Sequence, residues 1–160
     1  MEKKILKLVK AFEREKGKVV SFFNEIDTEQ FDKKIYTEGQ QWTVRQVLAH
    51  FVESEVSLRT LIAKVVEEDW PGVSEKFDLD EYNEKQVGQY EEFSTNLLID
   101  KFSEERSETI KKVSGWTVAD LAKEGRHPFL GVVQVGEMLK LMYLHHTIHM
   151  RDIRNALKAE

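Results

Sequence analysis

The chain has 160 residues, 41% hydrophobic and 33% charged, with 8 Gly, 2 Pro, no Cys and a net charge of -5. That size and balance suit one domain spanning 1–160, and the scarcity of turn formers points to long helices rather than sheet. The scattered basic residues exclude a duplex-binding stripe, and the missing cysteines exclude disulfides, a thiolate nucleophile and a Cys-bound metal.

Residues 2 to 25 read as the first helix, because Ile5, Leu8, Val9, Phe12, Val19, Phe22, Phe23 and Ile26 recur at helical spacing between Lys and Glu. Residues 27 to 42 are more polar and form a connection with room for one helical turn. Thr43 and Gln46 fit a capping box that opens a second helix. This helix runs to about Asp69, where Trp70-Pro71-Gly72 stops it, and its inner stripe is Val47, His50, Ser54, Leu58, Leu61 and Val65. Residues 78 to 113 make a third helical region broken near Glu92 to Thr95, with Ser94 as cap of the second piece. A short helix follows Thr117, Gly125 to Gly131 read as a loop, and the last helix runs from about Val132 to Lys158. Four long helices with modest connections make an all-α four-helix bundle the expected fold, with no sheet. No stretch approaches the roughly 20 apolar residues of a membrane span. The opening MEKKILKLVK has no apolar signal-peptide core, so a cytoplasmic location without membrane contact is expected.

Histidine occurs at 50, 127, 145, 146 and 149. At 100° per residue, His145 and His149 fall within the apolar stripe formed by Met138, Leu141, Met142 and Ile153. His146 lies about 100° from His145, at the margin of that stripe. His50 sits on the inner stripe of the second helix. Two helices thus turn imidazole inward, and a His pair one turn apart with a third ring from a facing helix would form a three-nitrogen metal face. The same spacing also fits hydrogen-bonded core histidines. His127, before Pro128, is expected in a loop that can approach a pocket mouth. His146 is expected as a packing or surface residue, with a fallback role as ligand.

Several segments together resemble the DinB superfamily of metal-binding four-helix bundles, which includes bacillithiol transferase-like proteins and the metal-binding domain of mycothiol-dependent maleylpyruvate isomerases. They are Trp42-Thr43-Val44-Arg45-Gln46-Val47-Leu48-Ala49-His50-Phe51, then Tyr82-Asn83-Glu84-Lys85-Gln86-Val87, then His127-Pro128-Phe129-Leu130-Gly131, and finally His145, His149, Asp152 and Ile153. The resemblance spans nearly the whole chain. It implies one divalent ion, nickel or zinc, held by His50, His145 and His149. It implies a small-molecule substrate, with a low-molecular-weight thiol as candidate cosubstrate, and no contact with nucleic acid. It also implies homodimers, for which Val132, Val133 and Tyr143 are candidate contacts.

Two functional classes remain open: a metal-dependent hydrolase or thiol S-transferase, and a metal-binding module without catalysis. Asp152, three residues after His149, is placed to orient a ligand imidazole directly or through water. Ser54 and Ser57 are candidate pocket residues beside His50. Glu53, at the edge of the same stripe, is expected to be an exposed charge, with general base as its alternative role.

Overall fold

Helix α1 (Lys3–Asn24) turns Ile5, Val9, Phe12, Val19 and Phe23 to its buried face. A computed structural model describes residues 1–36 and 39–159, and there the periodic stripes become four long helices. A 3₁₀ turn (Thr28–Asp32) interrupts the polar connection. Helix α2 (Val44–Glu68) starts on Thr43, whose hydroxyl accepts from the Gln46 N–H while the Gln46 side chain accepts from the Thr43 N–H at 2.9 Å. It ends at Asp69, in the left-handed region at φ 51°, ahead of Pro71. Helix α3 (Leu79–Gly88) is short, and α4 (Thr95–Ser114) begins on the expected Ser94 cap. The single turn α5 (Val118–Leu121) carries a Thr117/Asp120 capping box, and α6 (Val135–Lys158) closes the chain.

Helices α1 and α2, consecutive among the long elements, each pack against both α4 and α6. The order around the bundle is therefore α1, α4, α2, α6. Its interior holds two apolar clusters. One gathers Phe23, Phe31, Trp42, Phe51, Phe102 and Met150, the other Ile5, Phe12, Ile62, Leu121, Met138 and Leu139. Between them lies a buried polar layer. Arg106 packs its guanidinium over Phe12 at 5.0 Å and Phe102 at 5.2 Å, and meets the Glu55 carboxylate at 2.7 and 3.0 Å. No helix is long and apolar enough to cross a membrane among the described residues.

The expectation of no sheet is corrected by an antiparallel hairpin, β1 (Glu124–His127) with β2 (Gly131–Gln134). The last helix accordingly starts at Val135 rather than Val132, since Val132 and Val133 pair with Arg126 and Gly125. Two glycines account for it. Gly131, at φ 75°, reverses the chain after Pro128, Phe129 and Leu130. Gly72, at φ 95°, lets the segment after α2 lie against β1, where a Cβ would collide with the Arg126 backbone. There the Arg126 N–H donates to the Pro71 carbonyl at 2.8 Å, and the Val73 N–H donates to the Arg126 carbonyl at 3.0 Å. The three residues named for self-association differ in exposure. Val133 and Tyr143 are half-buried and pack against the second apolar cluster, Tyr143 edge-on to Phe12 at 5.5 Å, while Val132 is exposed.

Candidate metal centre

The Thr43 cap sets the phase of α2, and two turns later His50 enters the bundle with its ring 4.8 Å from Trp42. From α6, His145 and His149 reach the same point. The His50 ring centroid lies 5.1 Å from that of His145 and 5.4 Å from that of His149. Each ring offers a nitrogen, and these nitrogens lie within 4.8 Å of one another. The Nε2 atoms of His145 and His149 are 2.8 Å apart.

Hydrogen bonds assign the tautomer of His149. The Tyr36 hydroxyl donates to Asp152 Oδ2 at 2.9 Å, so its oxygen accepts from His149 Nδ1 at 2.7 Å. With its proton on Nδ1, His149 presents a bare Nε2 to the cluster. Asp152 thus acts on the imidazole through a tyrosine hydroxyl, in place of the direct or water-mediated contact expected. Burial lowers all three rings towards the neutral form, and neighbouring imidazoles add to this at His50 and His145. His50 is pushed well below the ordinary histidine range by desolvation, then by His145 and His149. His145 falls to about 3, again mainly by burial. His149 is lowered by burial, against the pull of Asp152. His50 Nδ1 is buried without a partner. Three imidazoles, two of them meeting only each other through Nε2 and the third with an unpartnered Nδ1, fit a borderline ion such as zinc or nickel, and no fourth His or carboxylate joins them among the described residues.

His50 and His145 also line a cavity of about 410 Å³, whose walls include Leu58, Leu61, Val73, Phe77 and Leu141. Ser54, Ser57 and His127 line it as well. Glu53 is buried here, which corrects its expected exposure. Its carboxylate accepts from the hydroxyls of Ser57, Tyr82 (3.2 Å) and Tyr90 (3.4 Å), and these three donors make burial of the charge tolerable. Burial and this carboxylate push Tyr90 up to about 12.

His146 is not at the margin of the buried stripe. It is 1% exposed, and the buried line on α6 runs through Met142, His146 and Met150. The core is centred on this line, while His145 and His149 flank it. His146 Nδ1 lies 3.2 Å from Arg106 Nη2, which places it with Glu55 and Arg106 and outside the triad, so its fallback role as ligand falls away. Sequence reading missed Tyr36, Tyr82, Tyr90 and the Glu55–Arg106 pair. Tyr36 lies in a polar connection where no period marks it. Arg106 and Glu55 look like ordinary helix-surface charges until α2 and α4 are packed together.

The sequence profile of the DinB superfamily matches residues 11–153. The chain belongs to the DinB superfamily. No curated protein sequence matches it significantly. Among solved structures, this DinB chain is similar to YfiT from Bacillus subtilis, described as a probable metal-dependent hydrolase with an unusual four-helix bundle topology. That match has a TM-score of 0.77 at 16% identity and covers 99% of this chain and 89% of that one. The chain is similar also to the mycothiol-dependent maleylpyruvate isomerase, at TM-score 0.74 and 13% identity over 93% of this chain and 60% of that one. A single-site variant of that isomerase matches at 0.74 and 11% identity. At these identities the likeness shows the fold, and the chain spans 60% of the isomerase's length.

Proposed function

We propose that this DinB chain binds one divalent ion, nickel or zinc, through His50, His145 and His149, and uses it on a small molecule held in the adjoining cavity. The observation that carries this reading is the convergence of one buried and two half-buried imidazoles, without a fourth protein ligand among the described residues, beside a largely apolar cavity that His50 and His145 line. When bound, the ion would supply Lewis-acid chemistry, acidifying a water or a thiol beside it. The chain's own groups do the rest. Tyr36 and Asp152 fix the His149 tautomer, and the apolar wall at Leu58, Leu61 and Leu141 receives the substrate body and limits access of bulk water.

The nucleophile comes from outside the protein in this reading, because the sequence contains no Cys and the cavity serines, Ser54 and Ser57, donate to the Phe51 carbonyl and to Glu53 with no histidine base on either. Water attack gives a hydrolase, and thiol attack gives an S-transferase. The likeness to a mycothiol-dependent enzyme supports a low-molecular-weight thiol as the cosubstrate. Cobalt substitution tests both halves of the proposal. We expect a d–d spectrum that vanishes on chelation and shifts when a thiol or small anion is added. A saturated spectrum, indifferent to every thiol and anion, would assign the ion to a non-catalytic structural site. No cobalt binding at all would remove the metal reading.

A further inference from the structure

The hairpin ends β1 on His127, whose ring lies between the turn Pro128–Leu130 and the cavity that His50 and His145 also line. The residue is 4% exposed. Its Nδ1 accepts hydrogen bonds from the backbone N–H groups of Phe129 at 3.0 Å and Leu130 at 3.1 Å. That nitrogen is therefore bare. Burial holds the ring neutral by lowering its pKa to about 4, so the ring's one proton sits on Nε2. Nε2 has no partner and almost no surface open to water, so a ligand oxygen reaches it with a small shift of the ring or of the cavity wall. A buried donor left without a partner destabilises the fold. Closing the hairpin needs only Nδ1, so the turn does not account for Nε2. His127 also lies close enough to His145 for a charge on one to oppose a charge on the other. The carboxylate on the cavity wall, Glu53, is already met by the hydroxyls of Ser57, Tyr82 and Tyr90 and places no demand on this donor.

We infer that the His127 Nε2–H is a ligand-binding donor, preset by the hairpin turn to hold a carboxylate or carbonyl oxygen of an apolar small molecule beside the histidine triad. The apolar walls, Leu58, Leu61, Val73, Phe77 and Leu141, receive the body of that molecule. This inference rests on the reading of the cavity as the substrate site, and it names the substrate class: small apolar acids, esters or amides.

Two substitutions separate the two nitrogens. In His127→Asn the amide oxygen replaces Nδ1 and can still accept from the turn, while the Nε2 donor is lost. In His127→Gln the amide nitrogen reaches the Nε2 position, while the turn loses its acceptor. The probe is phenylacetate, titrated into metal-free and zinc-loaded protein, with binding followed by calorimetry and the His127 ring followed by ¹⁵N–¹H correlation. We expect an Nε2-protonated ring whose proton shifts downfield on addition of phenylacetate. His127→Asn should bind the probe about 10-fold or more weakly, the effect of losing one hydrogen bond to a charged group, with an unchanged melting temperature. His127→Gln should melt earlier yet retain more affinity than His127→Asn. A bare Nε2, equal affinity in wild type and His127→Asn, loss that follows hairpin stability alone, or no binding of phenylacetate would each overturn the inference. The metal-free titration keeps this result separate from failure of the metal reading.

Discussion

Two polar clusters inside the bundle are built from adjacent histidines of α6, one fully buried against α2 and α4 and one partly buried against α2, and they differ in what they leave unused. His146 meets Arg106, Arg106 meets Glu55 with two hydrogen bonds, and the rings of Phe12 and Phe102 cover the guanidinium. That cluster is complete within the protein. One residue earlier, His145 meets His149 and His50, three bases whose ring nitrogens gather at one point without a fourth His or carboxylate among the described residues. Burial of polar side chains therefore does not distinguish a site from a core. Unspent bonding capacity facing a cavity does.

The largest expected effect breaks the comparison at the triad. His50→Ala, His145→Ala and His149→Ala should each weaken metal affinity by 100-fold or more, on the order of what removing one of three ligands or its support costs. His146→Ala and His127→Ala should leave the metal bound. Equilibrium dialysis against a chromogenic chelator reads this directly. Retention of metal in His145→Ala with its loss in His146→Ala would exchange the roles of the two clusters.

Next comes the complete cluster. Arg106→Ala leaves Glu55 buried and uncompensated, and should lower unfolding stability by about 3–5 kcal/mol in urea. The Arg106→Met, Glu55→Leu double variant should recover most of that loss, because a buried ion pair replaced by apolar volume is often neutral. If the double variant proves as unstable as the single one, the layer does more than fill space.

A smaller effect concerns the support of His149. Tyr36→Phe and Asp152→Ala should each weaken metal binding by roughly 10-fold, since each breaks the chain of hydrogen bonds that keeps Nε2 bare. Unchanged affinity in both would assign that chain to packing.

A further effect is pH-dependent and shared by both clusters. His50, His145, His146 and His149 are all lowered from the ordinary histidine value of 6.5. Below 6.5 the unfolded chain therefore binds more protons than the folded one. The stability of the metal-free protein should be complete above pH 6.5 and fall as pH drops below it, His145 alone contributing about 1.4 kcal/mol per pH unit on the way down towards its folded value of about 3. A stability curve flat from pH 7 to 5 would mean that the rings are not held neutral.

Much of this arrangement was legible in the sequence, for physical reasons that differ from residue to residue. Thr43 with Gln46, and Ser94, mark helix starts because capping is local chemistry, readable within four residues. The convergence of His50, His145 and His149 followed from helical periodicity and the resemblance to the DinB superfamily. The hairpin was hidden because Gly72 and Gly131 act through a close approach and a backbone reversal that no period records. The burial of His146 was misjudged because a helical wheel gives angles relative to a chosen residue, while the true core direction depends on where α2 and α4 pack. Tyr36 and Glu53 owe their roles to partners 113 and 29 residues away, Tyr36 to His149 and Glu53 to Tyr82, and such pairings exist only after folding.

The most direct test of the central claim is elemental analysis joined to X-ray absorption on tag-free protein. The account predicts close to one equivalent of nickel or zinc, with three imidazole nitrogens at about 2.0–2.1 Å and one exchangeable position. Protein that carries no metal and takes up none on reconstitution, or an ion that stays bound when His50 and His149 are both replaced by Ala, would contradict it.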